Sequence, residues 1–362
     1  MTLILVFCTA LALLLTLLPL LRHPHWIIRG MDFPRLQFAI FIATLLIFDF
    51  LFLNMQSVLT WLLISIAALC LIWQLWWILP YTFLWPLEVK KASSSSFENQ
   101  ISILTANVLT PNRKADLLIQ LVREHKPDVL VTLESDQWWE DQLKVLEAEM
   151  PHSVECPLDN LYGMHVFSKL PLDEQEISYL VEEDVPSIHT TLTLRSGKTV
   201  RMHFVHPAPP SPTENPESAE RDAELVIVAQ SIAESDQPVI VTGDLNDVAW
   251  SATTRLFRKI SGLLDPRVGR GMFNTFHADF AFLRWPLDHL FHSRHFTLNS
   301  IERLPSIGSD HFALLTKLTF SPTKGAHQEG LDSDASDHDW SKEIAEEQDV
   351  RKEDVPEPGE SK

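Results

Sequence analysis

Several short stretches of the chain put a carboxylate, an amide or an imidazole at the edge of an apolar, β-patterned run. Asn107 closes ISILTAN, Glu134 closes VLVTLE, and His206 closes VRMHFVH. Asp244 and Asn246 close PVIVTGDLN, Asp288 lies in PLDHLF, and Asp310 and His311 precede the last strand in GSDHFAL. Loops at strand ends are exposed while the sheet fixes their position, so these residues are placed to do chemistry. Glu134 and Asp310 are hard oxygen ligands suited to Mg²⁺ or Mn²⁺. Asn107 adds a neutral oxygen or holds its neighbours. Asp244 is placed to orient and deprotonate a water for in-line attack on phosphorus. Asn246 shares its face if the backbone stays extended, and its amide then donates to a phosphoryl oxygen. His311 serves as acid or electrostatic stabiliser, with Asp288 fixing its tautomer and raising its pKa. His206 donates to the charge that develops on the phosphorane.

Each residue alone has an ordinary structural role. Asn107 and the Asp244-Leu245-Asn246 step suit turns, Ser309-Asp310 suits a turn cap, and Glu134 suits the N-terminus of a helix. His203 and His206 lie three apart on a strand and face opposite sides, so only one reaches a shared site. His206, at the strand end before Pro207, is the one chosen. No Ser or Cys nucleophile motif competes.

The elements that must position these residues are readable from periodicity. Strands are expected at 101–108, 129–133, 164–167, 187–194, 199–205, 239–242, 287–291 and 312–319. Helices are expected at 114–125, 138–150 and 217–234, the last with Ala219, Ala223, Val226, Ile227 and Ile232 on an apolar side. An early β-α-β order followed by many strands predicts a mixed α/β domain with large sheets.

The set in this order resembles the endonuclease/exonuclease/phosphatase superfamily, which has the deoxyribonuclease I-like fold. TANV, PDVLVTLES, YGMHVFSKLPL, HFVHPAPP, VTGDLND, PLDHLF and GSDHFAL carry the resemblance over residues 100–320. It implies an α/β fold, a two-sheet β-sandwich flanked by helices. It also implies a divalent metal, Mg²⁺ or Mn²⁺, and phosphoester hydrolysis by an activated water. By motif match, Asn107, Glu134 and Asp310 fall at metal positions. Asp244 and Asn246 fall at water-activating and phosphate-holding positions. His206 and the Asp288–His311 pair match the family's catalytic histidines and their carboxylate partner. Leu109 stands where many nucleases of the superfamily carry a second Asn or Asp, which weakens a two-metal or DNA-repair reading. The subgroup resembles bacterial membrane-tethered members.

Composition divides the chain into distinct parts. Its 362 residues carry a net charge of −19. Residues 1–91 carry +2, residues 92–320 carry −13 and residues 321–362 carry −8. Three continuous apolar runs, at about 2–21, 36–54 and 58–79, predict three transmembrane helices. Asp49, near the end of the second, is expected to reach the headgroups. Arg22, Arg29, Arg35, Lys90 and Lys91 fall on one side of such a topology. That predicts a multi-pass protein of the bacterial inner membrane with a cytoplasmic catalytic domain. Residues 92–99 read as a linker, 100–320 as the catalytic domain and 321–362 as an acidic disordered tail.

The three cysteines are too few and too scattered for a disulfide framework or a thiolate zinc site. The acidic domain disfavours binding duplex by a broad basic face. A local groove of Arg113, Lys114, Arg267 and Arg270 is the remaining cationic candidate. The expected partners are the lipid bilayer and a phosphoester substrate: nucleic acid, a phospholipid headgroup or a small phosphodiester. No obligate protein partner is evident. The competing function is a non-catalytic, membrane-tethered binding or scaffold protein on the same fold.

Overall fold

The computed structural model describes residues 1–93, 96–233 and 235–357. Four helices come first: α1 (Thr2–Leu17), α2 (Trp26–Gly30), α3 (Arg35–Phe52) and α4 (Val58–Ile78). Three segments, Thr2–Leu21, Arg35–Phe52 and Val58–Tyr81, are long and apolar enough to cross a membrane. Leu5, Ala12, Ile42, Leu45, Ala67 and Cys70 form the seam between them. Asp49 does not reach outward as expected. It is buried in α3, and neither carboxylate oxygen has a hydrogen-bond partner.

The soluble part is a sandwich. The first sheet contains β1 (Gln100–Asn107), β2 (Val129–Leu133), β3 (His152–Cys156), β4 (Met164–Ser168), β10 (Phe296–Ser306) and β11 (Phe312–Phe320). Its order is β10-β11-β1-β2-β4-β3, with β1 and β2 parallel. The second sheet contains β5 (Leu172–Ser178), β6 (Ser187–Thr193), β7 (Thr199–Phe204), β8 (Val239–Asp244) and β9 (Asp288–His292), in that order, with β7 and β8 parallel. Val129, Val131 and Val166 of one sheet face Ile188, Met202 and Ile240 of the other across a dry core. A Thr105–Thr242 hydroxyl pair, 2.8 Å apart, ties β1 to β8 beneath the site.

Helices cover both outer faces. On the first sheet lie α5 (Ala115–His125) and α6 (Gln137–Leu143). Lys126 ends α5 in a left-handed turn before Pro127, and Asp136 caps α6 by accepting from the Trp139 amide. On the second sheet lie α7 (Ala219–Ala233) and α8 (Ala252–Ser261).

Helix α7 is buried almost all round, not along one side. The cover comes from the chain's end. Past α9 (Pro322–Gly325), the described residues form α10 (Ala335–Glu347), which packs on α7 and α8 through Ile344 and Ala345, with Val355 following. The expectation of a disordered tail is therefore overturned across the described residues. An Asp334/Asp337 capping box starts α10, and a small apolar stripe docks it. Residues 358–362 of the expected tail lie outside the described residues, as do Ser94 and Ser95 of the expected linker.

The boundary before residue 100 is also displaced. Val89 is fully buried in the sandwich core, and Ala92 donates its amide to the Leu298 carbonyl on β10. The chain joins the sandwich by Glu88, both of whose carboxylate oxygens accept from Nη2 of the buried Arg258 at 2.6 Å.

Candidate active site

The sheet order brings the strand ends together. Strands β1, β2 and β8 all finish at one edge of the sandwich, and β9 begins there with Asp288 directly opposite Asp244. Gly243, within β8, permits the close approach of the Val205 backbone beside it. Its φ is +155°, and a Cβ there would sit 1.8 Å from the Val205 carbonyl oxygen.

Asn107 is buried and donates through one amide nitrogen to Glu134 Oε1 at 2.7 Å and Asp244 Oδ2 at 3.1 Å. It thereby fixes the separation of two carboxylates on different sheets. His311 Nδ1 lies 2.7 Å from Asp288 Oδ2, and its Nε2 lies 3.4 Å from Asp244 Oδ2. The Asp244 Oδ1 atom accepts the Asn246 backbone amide at 3.0 Å.

The electrostatics follow from this packing. Burial opposes charge on His311, but Asp288 and Asp244 outweigh it and raise its pKa to about 10. Burial also opposes charge on Asp244, yet His311 and His206 hold its pKa below the ordinary value. Burial lowers His206 to about 4 against the pull of Asp244, so this imidazole is neutral, and its Nδ1 has no partner. Burial raises Glu134 to about 7, against its hydrogen bond from Asn107. Glu134 Oε2 is likewise buried without a partner.

These observations test the fit of a divalent cation. Asp244, Asp288 and His311 have atoms close enough to form a metal cluster. With both nitrogens aimed at carboxylates and a raised pKa, however, His311 behaves as an imidazolium and fills that space itself. The unpartnered Glu134 oxygen, within the fields of Asp310 and Asp244, is the better position. A carboxylate buried without a cation is costly, and a hard cation would relieve it. The donor set fits.

The structure brings Asn107, Glu134, His206, Asp244, Asp288 and His311 into one largely buried cluster at these strand ends, with Asp310 beside it. Asn246 departs from expectation. Its φ is +51°, so the backbone is not extended after Asp244, and its side-chain amide donates to the Pro207 carbonyl at 3.0 Å. The three arginines of the expected cationic groove are engaged elsewhere. Arg267 is buried against Asp265 and His289, Arg270 donates to the Pro266 and Val89 carbonyls, and Arg113 pairs with Asp136.

Other contributors were missed. Tyr162 packs its ring 5.4 Å from His206, and Thr275 Oγ1 accepts from the Asp288 amide. Tyr162 stood in a recognisable motif, YGMHVF, whereas nothing local marked Thr275. The N-terminal helical segment also reaches the site loop. Arg29, between the first two spans, binds Asp222 at 2.8 Å. Asp222 holds Arg221, which donates to the Asn246 carbonyl at 2.8 Å. Trp250 Nε1 donates to the Asp32 carbonyl, and the Tyr81 hydroxyl donates to that of Ala249.

The sequence model of the Endonuclease/Exonuclease/phosphatase family matches residues 104–311. No curated protein matches the chain. Among solved structures, the chain is similar to the human nocturnin catalytic domain with bound sulfate, at 18% identity and a TM-score of 0.52. That match covers 62% of this chain and 94% of the other. It is similar to D. rerio TDP2 complexed with single strand DNA product, at 18% and 0.51, covering 61% and 99%. It is also similar to an endonuclease/exonuclease/phosphatase from Beutenbergia cavernae DSM 12333, at 15% and 0.50, covering 62% and 72%. At these identities the likeness is one of fold.

Proposed function

The chain belongs to the Endonuclease/Exonuclease/phosphatase family, and on that premise we propose that it is a membrane-anchored, divalent-metal-dependent phosphoesterase. The observation that supports this most is the buried, unpartnered Glu134 oxygen beside the Asp244–His311–Asp288 chain. Bound by Glu134 and Asp310, a divalent cation would neutralise charge on the phosphate oxygens.

The chain's own residues do the rest. Asp244 stays ionised and orients a water toward phosphorus. Its low basicity means that proton acceptance must accompany attack and not precede it. His311, held protonated by Asp288, offers Nε2–H to the charge building on the phosphoryl group. His206 contributes a neutral imidazole, held in place by Tyr162. Asn107 keeps Asp244 and Glu134 at fixed separation, so their relative placement costs no reorganisation in the transition state. Asn246, its amide committed to Pro207, acts through its backbone by locking the Asp244 rotamer.

The Arg and Lys residues flanking the spans support a cytoplasmic soluble part. The test is hydrolysis of bis(p-nitrophenyl) phosphate by the full chain in nanodiscs. Turnover should require Mg²⁺ or Mn²⁺, stop with EDTA and return with added metal. A folded, metal-binding chain that hydrolyses neither a diester nor a monoester would instead be a binding protein.

A further inference from the structure

Resting on that phosphoesterase reading, we propose that the substrate is a membrane lipid phosphodiester, which reaches the cleft sideways from the bilayer past an apolar loop. The loop is Asp279-Phe280-Ala281-Phe282-Leu283. Its roots lie in the site. The Phe276 ring packs 4.9 Å from that of His311, and the Ala278 amide donates to the Asp310 carbonyl at 2.6 Å. Arg284 braces the loop by donating to the His277 and Ala278 carbonyls.

The tip points away from the protein. Phe282 is 90% exposed, and Phe280 and Leu283 are each more than half exposed. A contiguous apolar patch of this kind is a contact surface. Its height is fixed by Gln37, in the first turn of α3, whose Nε2 donates to the Phe282 carbonyl at 2.6 Å. The tip therefore stands where the second membrane span begins, and Ile40, one turn further on, is already exposed on that helix. Phe83, Leu84 and Leu87, just past the third span, are exposed as well. The occupant of this patch is thus the bilayer that holds the helices. Headgroup phosphates lie in the polar layer just outside the hydrocarbon core, within reach of a cleft rooted beside the same loop.

Charge supports a single phosphoester over a long polyanion. The soluble region is strongly acidic, and the arginines expected to line a groove are buried or paired. A polynucleotide would need several phosphate contacts, whereas one lipid phosphate needs only the cation and the two imidazoles. In the reaction one P–O bond forms to the water oxygen and one breaks to the leaving alcohol. The water's protons pass to that alcohol and to solvent through Asp244, giving a phosphomonoester and an alcohol.

The test uses the full chain in vesicles of phosphatidylcholine, phosphatidylethanolamine and phosphatidylglycerol, with phosphorus NMR of the products. Bis(p-nitrophenyl) phosphate is the soluble comparison. Combining Phe280→Ser, Phe282→Ser and Leu283→Ser should lower the ratio of lipid rate to soluble-ester rate at least tenfold. Independently of activity, a bimane label at Ala281→Cys, in a chain lacking its three native cysteines, should be quenched by brominated lipid. An unchanged ratio, an unquenched label, or intact lipids beside a hydrolysed soluble ester would each overturn the proposal and leave the phosphoesterase reading standing. Failure to hydrolyse either substrate would overturn that reading, and this proposal with it.

Discussion

Where the apolar N-terminal helices meet the sandwich, buried carboxylates are matched by guanidiniums. Asp222 is held by Arg29 and Arg221, Glu88 by Arg258, and Asp265 by Arg267. A few residues away, at the strand ends, Glu134, Asp244 and Asp288 share one imidazolium, and Glu134 Oε2, Asp288 Oδ1 and His206 Nδ1 are left without partners. Burial raises the Asp222 and Asp265 carboxyls, but their arginines outweigh it and hold both below the ordinary value, whereas at Glu88 burial prevails despite Arg258. In the cleft, burial wins at Glu134. Both regions are buried and polar, so burial alone does not mark function. Several unmatched groups gathered around one imidazolium do: the matched set holds the collar together, and the carboxylates around His311 are ready for a ligand.

Perturbing each side should break this contrast in a characteristic way. The largest effect belongs to Asp244→Asn, which keeps the shape of the cleft and removes its base. Turnover of bis(p-nitrophenyl) phosphate should fall by at least about 10²-fold, with the fold retained; a near-wild-type rate would remove Asp244 from the chemistry. Next is Arg29→Met, which leaves Asp222 with Arg221 alone. It should cost roughly 3 kcal/mol of stability, the low end for a broken buried pair, measured by urea unfolding. A loss of activity at full stability would mean that the collar does more than hold the loop.

Truncation after Phe320 should cost a comparable or smaller amount, roughly 2–3 kcal/mol, as Ile344 and Val355 leave the face of α7. An unaltered melting temperature would mean that α10 contributes nothing. The smallest effect belongs to Glu224, a buried acid on α7 that has no guanidinium and lies outside the cleft. Burial raises its pKa from 4.5 to about 8. Between those values the unfolded chain has released a proton that the folded chain still binds, so stability falls as pH rises through that window. Glu224→Gln should flatten the slope of melting temperature between pH 5 and pH 8 and leave turnover intact. A lost activity would show that an unmatched charge outside the cleft is also functional.

Much of the site was legible because strand patterning and its terminal polar residues are local. Asn107, Glu134 and Asp244 fall where alternation stops and a turn begins, and His311 where a turn ends and a strand begins. The turn geometry was not legible: nothing in Asp-Leu-Asn states that Asn246 adopts a positive φ, and the assumed shared face failed there. The full burial of α7 was equally hidden, because its cover comes from residue 29 and from residues beyond 335. The tail's acidic composition masked the signals it did contain, an Asp334/Asp337 cap followed by Trp340, Ile344 and Ala345. Strand β10 and helix α8 were missed because their apolar residues are interrupted by Asn299, Glu302 and Arg303 in the one and by Arg255, Arg258 and Lys259 in the other.

The most direct measurement is Mn²⁺ binding by titration calorimetry of the full chain in nanodiscs at pH 8, where Glu134 is ionised. The wild-type chain and Glu224→Gln should bind with the same affinity, and Glu134→Gln should bind at least about tenfold more weakly, as the loss of a ligand demands. Equal affinity in all three, or no binding by the wild type, would contradict the claim that the unmatched carboxylates of the cleft await a cation.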